Sequence, residues 1–204
     1  LHYRKLRMLI ATLLTNPARP VLERVTVESL RNAWAGGDAL WLDPGVAAEF
    51  ALADMPANRW DVWQGLQGIG VDLVVQPAAG RKKQLLIADM DSTMIQQECI
   101  DELADVAGFG ERVKGITARA MNGELDFEAA LRERVGLLKG LSESVIAEVI
   151  RDRITLMPGG RELLATMKAN GAYAALVSGG FTAFTGAIAG VLGFDENRAN
   201  TLQI

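Results

Sequence analysis

Two kinds of apolar periodicity alternate along the chain, and in its first part they predict a small α+β unit. Alternating or continuous apolar runs predict strands, whereas apolar residues three or four positions apart predict helices. The expected strands cover residues 9–14, 39–42 and 71–75, and the expected helices cover residues 21–34 and 59–68. Turn formers mixed with charge come next, so we expect a first domain over residues 1–78 and a linker over residues 79–83.

The second part of the chain begins with an apolar run, residues 84–88, that predicts a buried strand. Helical patterns follow over residues 97–107, 111–121, 127–138 and 142–154. A fifth helix ends at Gly171, and residues 172–177 predict a second strand. A long helical insert directly after a strand predicts an α/β core over residues 84–204 with a cap over about 96–156.

Two carboxylates, Asp89 and Asp91, stand two residues apart at the end of the first of these strands. Side chains at this spacing in an extended strand point to the same face, so the two carboxylates crowd together. Such crowding is costly unless a proton or a cation resolves it, and Mg²⁺ takes oxygen ligands of this kind. The pair therefore indicates phosphoryl chemistry, with Asp89 as nucleophile and Asp91 as general acid and base. An ordinary acidic loop is the alternative.

Ser178, Gly179 and Gly180 follow the second strand and precede another helical run. A hydroxyl and exposed backbone N–H groups near a helix N-terminus can hold phosphate oxygens, and glycine lets the backbone approach the ligand closely. A simple left-handed turn is the alternative explanation. The acidic pair elsewhere in the chain favours the phosphate interpretation.

Four residues of the insert have two explanations each. Arg134 lies seven residues after Phe127 on one helical face, where it either snorkels to solvent or reaches an anionic group in a cleft. Glu98 is either a favourable charge at a helix N-terminus or a ligand for an ammonium group. Met121 and Phe127 either pack in a core or form the apolar wall of a small pocket.

Charge and composition exclude several classes of function. The net charge of −4 over 204 residues argues against a general nucleic-acid surface. No apolar stretch is long enough to span a membrane, and no signal peptide is evident. The single cysteine, Cys99, cannot form an internal disulfide, so a reducing cytoplasm is expected. The one histidine, His2, lies in a basic segment over residues 1–7, and histidine-based catalysis is not expected.

With these residues assembled, the chain resembles the haloacid dehalogenase-like phosphatases, and among them the phosphoserine phosphatases. Residues 89–93 are similar to the first motif of that superfamily, and residues 178–180 are similar to its second. The segments similar to phosphoserine phosphatases at matching spacing are residues 91–98, 117–121, 126–139 and 177–181. The resemblance covers residues 84–204 and implies a Rossmann-like parallel sheet with a helical cap. It is much weaker over residues 8–78, where some members carry an ACT-like domain.

The resemblance implies a role for each candidate residue. Asp89 would be the nucleophile and Asp91 the acid and base, and Mg²⁺ would bind the Asp89 side chain and the Asp91 carbonyl. Glu98 and Arg134 would bind the ammonium and the carboxylate of O-phosphoserine. The pocket would be lined by Met121, Phe127 and Gly180. The phosphate would be bound by Ser178 and Gly179.

The resemblance also implies a later lysine and a later Gly-Asp pair, neither of which occurs between the second motif and Ile204. Lys168 precedes the second motif and is not a substitute. We therefore expect a chain that is truncated at its C-terminus, binds metal poorly and is nearly inactive by itself. Its sheet would leave an apolar surface open, which favours a homodimer, strand exchange or poor solubility.

The leading hypothesis is a cytoplasmic, Mg²⁺-dependent hydrolase that converts O-phosphoserine to serine and phosphate through an aspartyl-phosphate, which is the last step of serine biosynthesis. A related phosphatase acting on another small phosphomonoester is the alternative among enzymes. A non-catalytic, amino-acid-binding regulatory protein, with the first domain as its sensor, is the alternative from another class.

Overall fold

The computed structural model describes residues 8–203 of the chain, which divides into two units, Leu1–Lys82 and Lys83–Ile204. The expectation for His2 and its basic segment lies outside the described residues. None of the described helices is long and apolar enough to cross a membrane. Each unit has its own hydrophobic core and is described by itself.

The first unit is a four-stranded antiparallel sheet with two helices packed on one face. Its elements are β1 (Leu9–Thr15), α1 (Arg24–Ala33), β2 (Leu40–Asp43), β3 (Ala47–Leu52), α2 (Arg59–Gln67) and β4 (Val71–Pro77). The strand order β2-β3-β1-β4 is the split βαβ arrangement of ferredoxin-like folds. Leu13, Val27 and Phe50 are buried between the sheet and the helices.

Strand β3 is the element of this unit that the sequence did not predict. It contains three alanines and Glu49 and lacks the β-branched residues that favour strands. Tertiary pairing makes it a strand nonetheless, because β3 lies between β2 and β1 and buries Phe50 and Leu52 against the helices. The other five predicted elements of this unit are present, with small differences at their ends.

The second unit is an α/β core with a parallel sheet, as predicted. Its elements are β5 (Leu85–Ala88), α3 (Cys99–Val106), α4 (Gly110–Met121), α5 (Phe127–Leu137), α6 (Ser144–Asp152), α7 (Gly160–Ala169), β6 (Tyr173–Phe181), α8 (Thr182–Leu192) and β7 (Glu196–Asn200). The three strands lie in the order β5-β6-β7. Strand β7, which is polar and pairs in parallel with β6, was not predicted.

The prediction that the first strand of this unit is buried was wrong for half of its side chains. Leu86 and Ala88 face the core that helices α7 and α8 complete. Leu85 and Ile87, on the other face, are 53% and 63% exposed. Strand β5 lies at the edge of the sheet, and its partner residue Tyr173 on β6 is exposed on the same face. An apolar run alone does not distinguish a strand covered on both faces from one covered on a single face.

The four-helix insert, α3 to α6, enters and leaves the core through two paired segments. The Gln96 N–H donates to the Thr155 carbonyl at 2.9 Å, and the Met157 N–H donates to the Met94 carbonyl at 2.9 Å. The side-chain amide of Gln97 holds Thr155 twice, donating to its Oγ1 and accepting from its N–H, both at 2.9 Å. We call this pair of segments, residues 94–97 and 155–157, the seam.

Candidate active site

A tight turn follows β5 and carries the two predicted carboxylates. Met90, which is fully buried, anchors the turn, because its carbonyl accepts hydrogen bonds from the N–H groups of Thr93, Met94 and Ile95. Asp89 is exposed, and its Oδ1 accepts from the N–H of Met90 at 2.6 Å. The turn therefore projects the Asp89 carboxylate from the end of the strand.

The Asp91 side chain is partly buried and contacts the first residue of α3. Its Oδ1 accepts from the backbone N–H of Cys99 at 3.2 Å. Burial raises the pKa of the Asp91 carboxyl, hydrogen bonds from Cys99 lower it, and the nearby charges of Glu98 and Asp89 raise it. The net direction is upward, which favours a protonated Asp91 that can act as an acid. Burial also raises the pKa of the Cys99 thiol, so this thiol is not a reactive thiolate.

Glu98 is the N-cap residue of α3, yet its side chain makes no capping hydrogen bond. Its Oε1 instead accepts from the hydroxyl of Ser92 at 2.7 Å. The alternative of a favourable charge at a helix N-terminus agrees with the position of Glu98 at the start of α3. Asp91 satisfies the first N–H of the helix, and Glu98 is available for other contacts.

Ser178, Gly179 and Gly180 lie within the last part of β6 and not in a turn after it. The alternative of a left-handed turn is therefore wrong, and neither glycine has a positive φ. The pairing of β6 with β7 shifts register across these residues, as at a β-bulge. The Gly180 N–H donates to Ser178 Oγ at 2.9 Å, which fixes the serine hydroxyl at the strand end.

The segments after β5 and at the end of β6 approach closely at Gly180. A Cβ atom at Gly180 would lie 3.0 Å from Asp91 Oδ2 and 3.2 Å from Ser178 Oγ. The two predicted motifs, which are far apart in the sequence, therefore meet at one edge of the sheet. Ligands of open α/β sheets bind at this carboxyl edge of the strands.

A cavity of about 200 Å³ opens at this edge and brings most of the predicted residues together. It is lined by Asp89, Asp91, Glu98, Ile100, Phe127, Leu131, Arg134, Ser178, Gly179, Gly180 and Phe181. Met121 is not in this lining; it is the last residue of α4 and is 85% exposed. The candidate role of Met121 as a pocket wall is thus not supported by its position.

Three apolar lining residues, Ile100, Leu131 and Phe181, were not among the predicted site residues. A signal existed for Leu131, because it lies on the same helical stripe as Phe127 and Arg134. Ile100 stands two residues after Glu98 and Phe181 directly after Gly180, but only the folded chain brings their side chains to the cavity.

Opposite charges face the cavity without neutralising each other. In the described part of the chain, neither Glu98 nor Arg134 belongs to an ion pair, and Arg134 Nε donates to the Ala130 carbonyl at 3.3 Å. Arg132, by contrast, pairs with Glu128 on the exposed side of the same helix. The charge of Arg134 also acts on the Asp101 carboxyl, but no ion pair occupies its guanidinium, which can bind an anionic group in the cavity.

The oxygen donors of the acidic turn fit a magnesium ion. No group of three or more His, Cys, Asp or Glu side chains that could hold a metal is found over residues 8–203. Mg²⁺ does not need such a group, because it keeps several waters and binds through one or two carboxylates together with a substrate phosphate. The Asp89 carboxylate lines the cavity together with Ser178 and can supply one such donor. By the resemblance stated above, the Asp91 carbonyl would supply the second.

Comparison with known proteins gives consistent matches. The sequence profile of haloacid dehalogenase-like hydrolases matches residues 86–204. A phosphoserine phosphatase from Archaeoglobus fulgidus is 47% identical over 138 residues, covering 67% of this chain and 40% of the relative. Another phosphoserine phosphatase, from Vibrio cholerae, is 50% identical over 123 residues, covering 60% of this chain and 37% of the relative. The chain spans between 37% and 52% of the length of the curated relatives it matches.

Among solved structures, a haloacid dehalogenase family hydrolase from Salmonella enterica serovar Typhi matches with a TM-score of 0.82 at 28% identity. That match covers 97% of this chain and 69% of the other, so both units have counterparts in it. A phospho-aspartyl intermediate analogue of phosphoserine phosphatase matches with a TM-score of 0.55 at 44% identity, covering 61% of this chain and 59% of that one.

Proposed function

Because the chain belongs to the haloacid dehalogenase-like hydrolase family, we propose that its cavity binds O-phosphoserine and hydrolyses it to serine and phosphate. One observation carries the choice of substrate: Glu98 and Arg134 line the same cavity as the carboxylate pair and do not pair with each other. An amino acid carries an ammonium and a carboxylate, and these two groups complement the two side chains.

The size of the cavity supports a substrate of this class. A volume of about 200 Å³ suits a small phosphomonoester and is below the usual range for drug-sized ligands, about 300–1,000 Å³. Phe127 packs near Gly179, since a Cβ at Gly179 would lie 3.4 Å from the Phe127 ring. The ring narrows the space between helix α5 and the strand end, which restricts the bulk of the group attached to the phosphate.

The chemistry follows from the two carboxylates. An oxygen of Asp89 attacks the phosphorus, the ester P–O bond breaks, and the departing serine oxygen takes the proton of Asp91. A water then gives a proton to Asp91 and attacks the aspartyl-phosphate, which releases phosphate and restores Asp89. Burial of Asp91 raises its pKa and supports the protonated form that the first step requires.

The phosphate oxygens are expected to contact Ser178 and the backbone N–H groups near Gly179, which lie beside Asp89 in the cavity. Mg²⁺, when bound by the Asp89 carboxylate and the Asp91 carbonyl, offsets the repulsion between the anionic phosphate and the anionic nucleophile. Asp89 and Ser178 then hold the phosphoryl group between the ends of β5 and β6.

The relatives support the same assignment, because those from Archaeoglobus and Vibrio are phosphoserine phosphatases. The solved phospho-aspartyl intermediate analogue of phosphoserine phosphatase, at 44% identity, supports a covalent intermediate. In this proposal the protein acts in the cytoplasm in the last step of serine biosynthesis. The ferredoxin-like first unit is compatible with an ACT-like role in sensing amino acids.

Arg134→Ala tests the proposal in the protein expressed from its complete reading frame. We expect the KM for O-phosphoserine to rise about a hundredfold, because an anionic group loses its charged partner. O-phosphoethanolamine lacks the carboxylate, so its kcat/KM should change much less. Arg132→Ala is the matched control, since Arg132 pairs with Glu128 away from the cavity. Equal wild-type rates on O-phosphoserine and on amine-free phosphates would contradict the proposed substrate and favour a phosphatase for other small phosphomonoesters.

A further inference from the structure

Ser92 joins the acidic turn to Glu98. Its hydroxyl donates to Glu98 Oε1 at 2.7 Å, and its backbone N–H donates to the Gln97 carbonyl at 3.1 Å. We propose that Ser92 is a positioning residue that holds the Glu98 carboxylate toward the substrate ammonium and so sets the preference for amino-acid phosphates. This inference rests on the proposed function.

The backbone of Ser92 is held in a conformation that serine rarely adopts. Its φ is +50°, and among the described residues other than glycine only Ala35 shares a positive φ. Such a conformation is unfavourable for residues with a Cβ and persists where surrounding contacts impose it. The left-handed backbone directs the hydroxyl to Glu98 while the N–H binds Gln97, so one residue holds two successive positions of the segment entering α3.

Glu98 needs such a partner because little else fixes its side chain. It is exposed, it makes no capping hydrogen bond, and the N–H of Cys99 is already bound by Asp91. A glutamate in this situation samples many rotamers, and ordering it on binding costs free energy. The Ser92 hydroxyl occupies Oε1, which leaves Oε2 available to an ammonium group.

The backbone next to Glu98 is held by hydrogen bonds that do not involve the Ser92 hydroxyl. The Gln97 side chain binds Thr155 twice across the seam, and the Gln97 carbonyl accepts from Ser92. The backbone at Glu98 is therefore fixed by the seam and by the Ser92 N–H, whereas the direction of its carboxylate is fixed by the Ser92 hydroxyl. This separation makes the serine hydroxyl testable without disturbing the fold of the insert.

Ser92→Ala removes the hydroxyl and keeps the backbone constraint. We expect the KM for O-phosphoserine to rise about tenfold relative to the KM for O-phospho-3-hydroxypropanoate, which keeps the carboxylate and lacks the amine. Ser92→Gly also lacks the hydroxyl but accepts a positive φ without strain. It should lose the same selectivity, whereas an effect of backbone strain would make the two variants differ.

A double-mutant cycle with Glu98→Gln identifies the partner through which Ser92 acts. The selectivity ratio is the KM for O-phosphoserine divided by the KM for O-phospho-3-hydroxypropanoate. In the Glu98→Gln background, Ser92→Ala should change this ratio less than about twofold, because the two residues act together. A full tenfold change in that background would overturn the role of Ser92 but not the proposed function. The same conclusion would follow if the wild-type protein prefers O-phosphoserine and the KM ratio is unchanged in both Ser92→Ala and Ser92→Gly. A wild-type protein without that preference would overturn the proposed function itself.

Discussion

The carboxylate of Asp91 caps helix α3 by accepting the backbone N–H of Cys99 at 3.2 Å. The proposed acid and base is therefore also the side chain that ties the start of the helical insert to the catalytic turn. An N-cap contact of this type typically contributes about 1 kcal/mol. Because chemistry and capping use the same carboxylate, substitutions at Asp91 can separate the two roles.

Asp91→Asn retains an oxygen that can accept the Cys99 N–H, whereas Asp91→Ala does not. We expect both variants to lose about a thousandfold or more in kcat, since neither can donate and accept the proton. Only Asp91→Ala should lose about 1 kcal/mol in the free energy of unfolding. Urea unfolding combined with steady-state kinetics measures both quantities, and equal destabilisation by the two substitutions would contradict the capping role.

Asp89→Asn should prevent formation of a phosphorylated protein. Acid quenching after mixing with ³²P-labelled O-phosphoserine should trap label on the wild-type chain and none on the variant, because an amide is a far poorer nucleophile than a carboxylate. Asp105→Asn is the matched control, since Asp105 is an exposed residue of α3 outside the cavity lining. Label retained on Asp89→Asn would show that the covalent bond forms elsewhere.

Gly180→Ala introduces a Cβ at 3.0 Å from Asp91 Oδ2 and should push that carboxylate out of place. A displacement of this kind is expected to lower kcat/KM by about tenfold or more. Gly186→Ala, within α8, has no atom within 4 Å of the new Cβ and should stabilise the protein by about 0.5–1 kcal/mol. Normal activity in Gly180→Ala would show that the strand ends can separate without consequence.

In the first unit, Glu49 is 8% exposed and is bound by Arg81 through two hydrogen bonds of 2.6 and 2.7 Å. The Arg81 hydrogen bonds lower the pKa of the Glu49 carboxyl, an effect that burial opposes. A lowered folded-state pKa contributes stability that is present above the unfolded pKa, about 4.3, and is lost as the pH falls through the folded value.

Glu49→Gln should therefore destabilise the first unit by about 2 kcal/mol at pH 7, and the difference should shrink as the pH falls below about 4. Denaturant unfolding across this pH range measures the effect. Glu133→Gln is the control, because Glu133 forms an exposed pair with Arg119 that is worth little. A difference that stays constant down to pH 2 would contradict the contribution of the Glu49 charge.

The spacing of residues in the sequence predicted those parts of the site that are formed within a single helix or strand. Phe127 and Arg134 share a helical stripe, and both line the cavity as one face of α5. Asp89 and Asp91 were expected on one face of an extended strand, whereas both follow the end of β5 in a turn and line the cavity together. The position of Ser178 in the same cavity agrees with the rule that ligands of open α/β sheets bind at the carboxyl edge of the strands.

The remaining features depend on contacts between distant segments. The hydrogen bond from Ser92 to Glu98 requires a left-handed backbone at a serine, which no propensity predicts. Met121 shares its predicted helix with buried residues, but it stands at the helix end, where the chain leaves the packed face. Ile87 is apolar and exposed because it lies on the face of the sheet opposite to the one that packs in the core, and which face is covered is not visible in the sequence.

The seam has a consequence for how this kind of protein can change its substrate. The chain leaves the turn after β5 and returns toward α7 at neighbouring positions, which are paired by the backbone between Ile95 and Leu156. Topologically the four helices are one long insertion whose ends lie side by side, so the insertion can be exchanged as a unit if the core contacts of residues such as Leu103 and Val149 are kept. A different insert would carry other side chains in place of Glu98 and Arg134, whereas Asp89 would stay on the core. Substrate selectivity and bond cleavage can therefore evolve on separate parts of the chain.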